Sequence, residues 1–167
     1  MHSDNETETV TESEVRTEAE AGTKADFDFA QLLVEDDCFA IRQAARFASQ
    51  LYDRHLARTG LKITQFSVMW RLAMKPGMTI KELADWMVME RTTLVRAIQP
   101  LQRDGLIVSD ASPRDRRALV FALTPAGLEK VHSARSSWHR AQREFEERFG
   151  QERAMFLRRE LLALTKK

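Results

Sequence analysis

The sequence predicts a mainly α-helical domain carrying one small β-hairpin, and three observations predict it. Apolar residues recur every three or four positions over most of the chain after residue 27. A period of two appears only between residues 106 and 124. Glycine, proline and helix-start signals fall where the periods change. The chain has 167 residues, enough to bury a core.

The first 26 residues stand apart. They carry eight acids against Arg16 and Lys24, a balance of −6, and few large apolar side chains, so a disordered acidic tail is expected there. The remainder, 27–167, has 24 basic and 17 acidic residues, a balance of +7 that suits a polyanionic partner. The N-terminus lacks the basic-then-apolar layout of a signal peptide, and no apolar run reaches the roughly 20 residues of a membrane span. The single cysteine, Cys38, has no internal partner. The expectation is a cytoplasmic protein with no membrane contact.

From Phe27 the pattern is helical, with Ala40, Ala44, Phe47 and Leu51 on one stripe and Gly60 as the stop. Thr64 is the expected cap of a second helix whose apolar face is Phe66, Met69, Trp70 and Ala73, broken by Pro76-Gly77. Thr79 and Glu82 form a capping box for a short helix with Ile80, Leu83, Ala84 and Met87 inward. A further helix runs from about Glu90 to Asp104, ahead of Gly105. It buries Leu94, Ala97, Ile98 and Leu101 and turns Thr92, Arg96, Gln99 and Arg103 outward. Pro100 should kink or loosen it, since proline has no amide for the Arg96 carbonyl. The β-like runs LIVSD and ALVFALT follow, joined by ASPRDRR. Thr124-Pro125 starts a long helix with Leu128, Val131, Ala134, Trp138, Ala141 and Phe145 on one stripe. Gly150 interrupts it before a last helix bearing Phe156, Leu157, Leu161 and Leu164.

Two short helices, a tight connection and a hairpin with a basic tip make a winged helix-turn-helix, residues 62–124. It is flanked by helices over 27–60 and 125–167. A helix fits the major groove of B-DNA, with its N-terminal residues at the base edges. Here those residues are Arg91, Thr92, Thr93 and Arg96. Arginine makes paired hydrogen bonds to guanine, and a threonine methyl touches thymine. Arg114, Arg116 and Arg117 at the hairpin tip suit phosphates and a narrow minor groove.

The segments LYDRHLARTGLKITQFSVMWRLA, MTIKELADWMVMERTTLVRAIQPLQRDGLI and SPRDRRALVFALTPAG resemble the MarR family of transcriptional regulators, from about Cys38 to Val131. Asp115-Arg116-Arg117 followed by Leu123-Thr124-Pro125-Ala126-Gly127 is the most specific part. The resemblance implies a symmetric homodimer built by the N- and C-terminal helices. It implies that Arg117 enters the minor groove and that Asp115 braces the wing through a salt bridge to arginine. It implies a repressor of a pseudo-palindromic double-stranded operator, released by a small aromatic ligand or its thioester.

Phe39, Tyr52, Phe66, Trp70 and Trp138 are the large side chains expected to line an effector pocket, with Arg42 and Arg46 as anchors for an anion. The alternatives are a thiol-based oxidant sensor using Cys38, and a dimeric interaction protein that has lost DNA binding. The stretch DCFAIRQAAR resembles the reactive-cysteine segment of the organic-hydroperoxide branch, and Tyr52 matches one of its thiolate-binding tyrosines. Arg42 and Ile63 stand where others are expected. A free cysteine is commonly a small buried hydrophobe, and that structural thiol is the reading taken. His2, His55, His132 and His139 form no metal-binding spacing, and no nucleophile, paired-carboxylate or phosphate-loop motif is present, so no enzyme, metal or cofactor is expected.

Overall fold

The computed structural model describes residues 36–166 apart from Arg114 and Arg116. The acidic segment 1–26, the start of the first predicted helix and two of the wing arginines lie outside the described residues. Two compact units are distinguished, one ending at Gln43 and one beginning at Ala44.

In the first unit the chain enters helix α1 (Asp37–Leu56). Asp36 caps it, its Oδ1 accepting from the Phe39 amide at 2.9 Å. Phe39 and Ile41 are exposed.

The second unit, from Ala44, holds the rest of α1 and the remaining elements. A 3-10 turn (Ala57–Thr59) leads to Gly60, whose φ of 72° reverses the chain. Helix α2 (Ile63–Met74) starts one residue before Thr64, which is not its cap. The acceptor comes from α1 instead: Asp53 Oδ1 takes the Ile63 amide at 2.7 Å. Gln65 Oε1 accepts the Lys62 amide at 3.0 Å. Asp53→Ala is expected to cost about 1 kcal/mol, a fall in Tm of roughly 4 °C, with Asp53→Asn losing less because it keeps an acceptor. Thermal melts of both variants check this, and equal losses would assign the effect to the Lys62–Asp53 pair at 3.5 Å.

The buried face of α2 is Phe66, Val68, Met69 and Leu72; Trp70 and Ala73, expected inside, are exposed. The helix packs against the long helix α5 (Pro125–Phe149) and against the sheet, so its inward arc is rotated from the one read by spacing.

The sheet has three strands, not two. Strand β1 (Met78–Thr79) pairs with β3 (Leu119–Leu123), Met78 opposite Phe121, and β2 (Ile107–Ala111) pairs along the other edge of β3. The β2–β3 register runs from Ile107 opposite Leu123 to Ala111 opposite Leu119. Two residues are too few to show a period, so β1 carries no strand signal in the sequence.

Thr79 then caps helix α3 (Ile80–Met87) in the predicted box, its Oγ1 accepting the Glu82 amide at 3.2 Å and Glu82 Oε2 accepting the Thr79 amide at 2.7 Å. Val88 closes α3 in the left-handed region at φ 51°, a costly conformation for a β-branched residue. Helix α4 (Arg91–Arg103) buries Leu94, Ile98 and Leu101 and continues through Pro100.

Thr124 caps α5 as predicted: its hydroxyl accepts the Gly127 amide at 3.0 Å and donates to the Gly105 carbonyl at 2.7 Å. Of the stripe on α5, Val131, Ala134 and Ala141 are buried, but Leu128 is exposed. Gly150 separates α5 from helix α6 (Gln151–Leu164), where Met155, Phe156, Leu162 and Leu164 are exposed. The core joins α2, α3, α4, the sheet and the start of α5 through residues such as Met69, Leu83, Leu94, Ile98, Phe121 and Val131. Buried apolar surface of this kind is the main stabilising term, about 25 cal/mol per Å2.

Further along, α1 and α5 are joined by ion pairs. Glu144 accepts from Arg54, His55 and Arg148 at 3.2, 2.7 and 2.7 Å. The hydrogen bond from His55, helped by the two arginines, holds its carboxyl below the usual range.

Candidate DNA interface and an aromatic cavity

Capping and burial together set the outward surface of α4. With Leu94, Ile98 and Leu101 fixed inward, Arg91, Thr92, Thr93 and Arg96 are exposed on the first turns of α4. Gln99 and Arg103 continue that face. Among the described residues, Arg91, Arg96 and Arg103 make no ion pair with an acid. Gln102 instead ties α4 to the hairpin, its Nε2 donating to Ser109 Oγ at 3.2 Å.

The hairpin tip places Arg117 in solvent. Asp115 shapes the turn, its Oδ1 accepting the Arg117 amide at 3.0 Å and its carbonyl accepting the Ala118 amide at 2.9 Å. Arg114 and Arg116 lie outside the described residues. What is seen at Asp115 is therefore a backbone brace.

A cavity of about 330 Å3 opens among α2, α3 and α5, lined by Phe66, Ser67, Trp70, Trp86, Arg135, Trp138 and His139. Phe66 stacks on Trp70 at 6.0 Å and on Trp138 at 6.4 Å between ring centroids, with planes 24° and 18° apart. Trp86 carries the Arg71 guanidinium 4.8 Å from its ring centre, and Arg71 Nε is buried without a hydrogen-bond partner.

Of the residues predicted for a pocket, Phe66, Trp70 and Trp138 meet here. Tyr52 does not line this cavity, although its ring is 6.3 Å from Trp138. It faces a smaller cavity of about 180 Å3 with Gln142, Phe145 and Arg158. There its hydroxyl donates to Gln142, and burial raises its pKa. Arg46 is exposed and lines neither cavity. Phe39 and Arg42 fall in the first unit.

Cys38 is exposed rather than buried, so the small-hydrophobe expectation does not hold. Trp86, Arg135 and His139 were missed. Trp86 sits on the outward side of α3, where its departure from an otherwise polar face was the available signal.

Residues 61–119 match the MarR family. The transcriptional regulator MosR of M. tuberculosis, solved with DNA, is 34% identical, with 78% of this chain and 94% of MosR covered and a TM-score of 0.69. The transcriptional repressor CouR, solved on a 23-mer DNA duplex, is 26% identical, with 80% and 95% covered and a TM-score of 0.72. The homoprotocatechuate degradative operon repressor of Escherichia coli is 28% identical over 126 residues, 75% of this chain and 80% of that one. These proteins are regulators of transcription and not enzymes. With the two short helices, the hairpin and the extent of likeness to MosR all in agreement, this chain belongs to the MarR family of winged helix-turn-helix transcriptional regulators.

Proposed function

We propose that the protein is a homodimeric repressor that reads a pseudo-palindromic DNA duplex and is released by a small aromatic acid or its thioester. The observation that carries this reading is the exposed front of α4, where Arg91, Thr92, Thr93 and Arg96 are presented with no acid pairing the arginines among the described residues. Arg117 and the unseen Arg114 and Arg116 would follow the backbone and minor groove. An ion pair from Asp115 to one of those two arginines would add to the backbone brace.

Several further points support the reading. MosR and CouR are both solved with DNA. Homoprotocatechuate, for which the Escherichia coli repressor's operon is named, is by its chemistry an aromatic acid. Met155, Phe156, Leu162 and Leu164 leave an apolar surface on α6 of the kind that a second copy covers. Twofold symmetry would set the half-sites roughly 34 Å apart, one helical turn.

Sedimentation of the protein with a duplex selected from random sequence tests this directly. Two chains per duplex and a selected site with inverted symmetry are expected. One chain per duplex, or no preference over random DNA, would overturn it.

A further inference from the structure

We infer that Gln102 and Ser109 are a positioning pair for DNA binding: their hydrogen bond sets the angle of the hairpin to α4, and with it the reach of Arg117. This pairing rests on the DNA reading proposed above and names the residues that make helix and hairpin act together.

Gln102 stands in the last turn of α4, where its backbone is fixed. Its carbonyl accepts the Gly105 amide at 3.0 Å, and the neighbouring Leu101 carbonyl accepts the Leu106 amide at 2.8 Å. Gly105, at φ 67°, then turns the chain toward β2. The root of the hairpin is thus tied to the end of α4. A tied root alone does not set the tilt of the ribbon that leaves it.

Side chains along β2 alternate between faces, so Ser109 and Ala111 share the face that carries Ile107 into the core. Burial on that face declines toward the tip: Ile107 is buried, Ser109 half-buried and Ala111 exposed. Apolar burial therefore stops at Ile107, and Ser109 meets α4 through a hydrogen bond, its Oγ accepting from Gln102 Nε2 at 3.2 Å. Gln102 is half-buried as well, so water competes for this bond less than it does at the surface.

The lever arm makes one bond matter. The tip lies about five residues beyond Ser109, roughly 17 Å of extended strand, so a tilt of about 10° carries Arg117 about 3 Å. That is a whole hydrogen-bond length. The bonds within the tip hold the shape of the turn and not its direction: the Ser112 amide donates to the Ala118 carbonyl at 2.8 Å, and the Arg117 amide to Asp115 Oδ1 at 3.0 Å. Neither Gln102 nor Ser109 is assigned a contact with DNA; both act through Arg117.

Ser109→Ala removes the acceptor and leaves every outward side chain of α4 in place. It should weaken binding to the selected operator about three- to tenfold, the scale of one neutral hydrogen bond. Hydroxyl-radical footprints should lose the minor-groove protection given by the hairpin, while guanine N7 under α4 stays protected and preference among bases is unchanged. Ser109→Thr keeps the hydroxyl and should match wild type. Gln102→Leu, a change on the other element, should reproduce Ser109→Ala, and the double variant should be no weaker than either single one. On an Arg117→Ala background most of the effect of Ser109→Ala should disappear, since the side chain it aims is gone.

Wild-type affinity and footprints in Ser109→Ala, a Ser109→Thr as weak as Ser109→Ala, lost base preference under α4, or a full Ser109→Ala effect on the Arg117→Ala background would overturn the pairing and leave the DNA reading intact. A wild-type protein that protects neither groove of the selected operator would overturn both.

Discussion

Gly127→Ala is expected to be among the most destabilising single-atom changes available in this chain, at about 3 kcal/mol or more. A Cβ built at Gly127 would stand 2.0 Å from the carbonyl oxygen of Leu106 and 2.9 Å from its carbonyl carbon, both backbone. Neither can swing aside as a flexible side chain can. The same oxygen accepts the Thr124 amide at 3.1 Å, so moving it also strains the start of α5. Tm should fall on the order of 10 °C. Gly77→Ala is the control. Its added Cβ meets nothing within 4 Å, so only the left-handed φ of 76° is penalised, at about 1 kcal/mol. A Gly127→Ala protein melting within a few degrees of wild type would show that the hairpin root is not held against α5 in this way.

The second large effect concerns DNA. Arg117→Ala should weaken operator binding by about 1–3 kcal/mol, or roughly five- to 150-fold, and slightly flatten its dependence on salt. Arg96→Ala should also weaken binding, but with relaxed preference among bases at one position of each half-site. The distinction follows from placement. Arg96 is on the exposed front of α4, whereas Arg117 is at the tip of the hairpin. Fluorescence anisotropy on the selected operator and on single-base variants, at two salt concentrations, separates the two behaviours. Wild-type affinity in Arg117→Ala at physiological salt would remove the wing from the interface.

Legibility from sequence tracked how local the cause was. The caps at Thr79 and Thr124 were readable because donor, acceptor and the helix they start lie within three residues. The hairpin was readable because alternation spans five residues in each strand. The cap of α2 was not, since Asp53 lies ten residues upstream and arrives only once the chain has folded back. Val88 hid the turn between α3 and α4, because a left-handed position ordinarily shows itself as glycine or asparagine. At the cavity, spacing grouped Phe66, Trp70 and Trp138 through their helical stripes. Trp86 and His139 come from faces that no apolar stripe marks, so only the packing of α2, α3 and α5 brings them in.

Strand β1 has a mechanical consequence. It leads directly into α3, it is bonded to β3, and the Gly77 amide donates to the Phe121 carbonyl at 2.9 Å. The cavity wall at Trp86, helix α4 packed on α3 and the central strand of the sheet are thus linked through α3 and β1. A force applied at Trp86 would tilt helix and hairpin in step. Major-groove and minor-groove protection should then disappear together as effector is added, in a single transition with one midpoint.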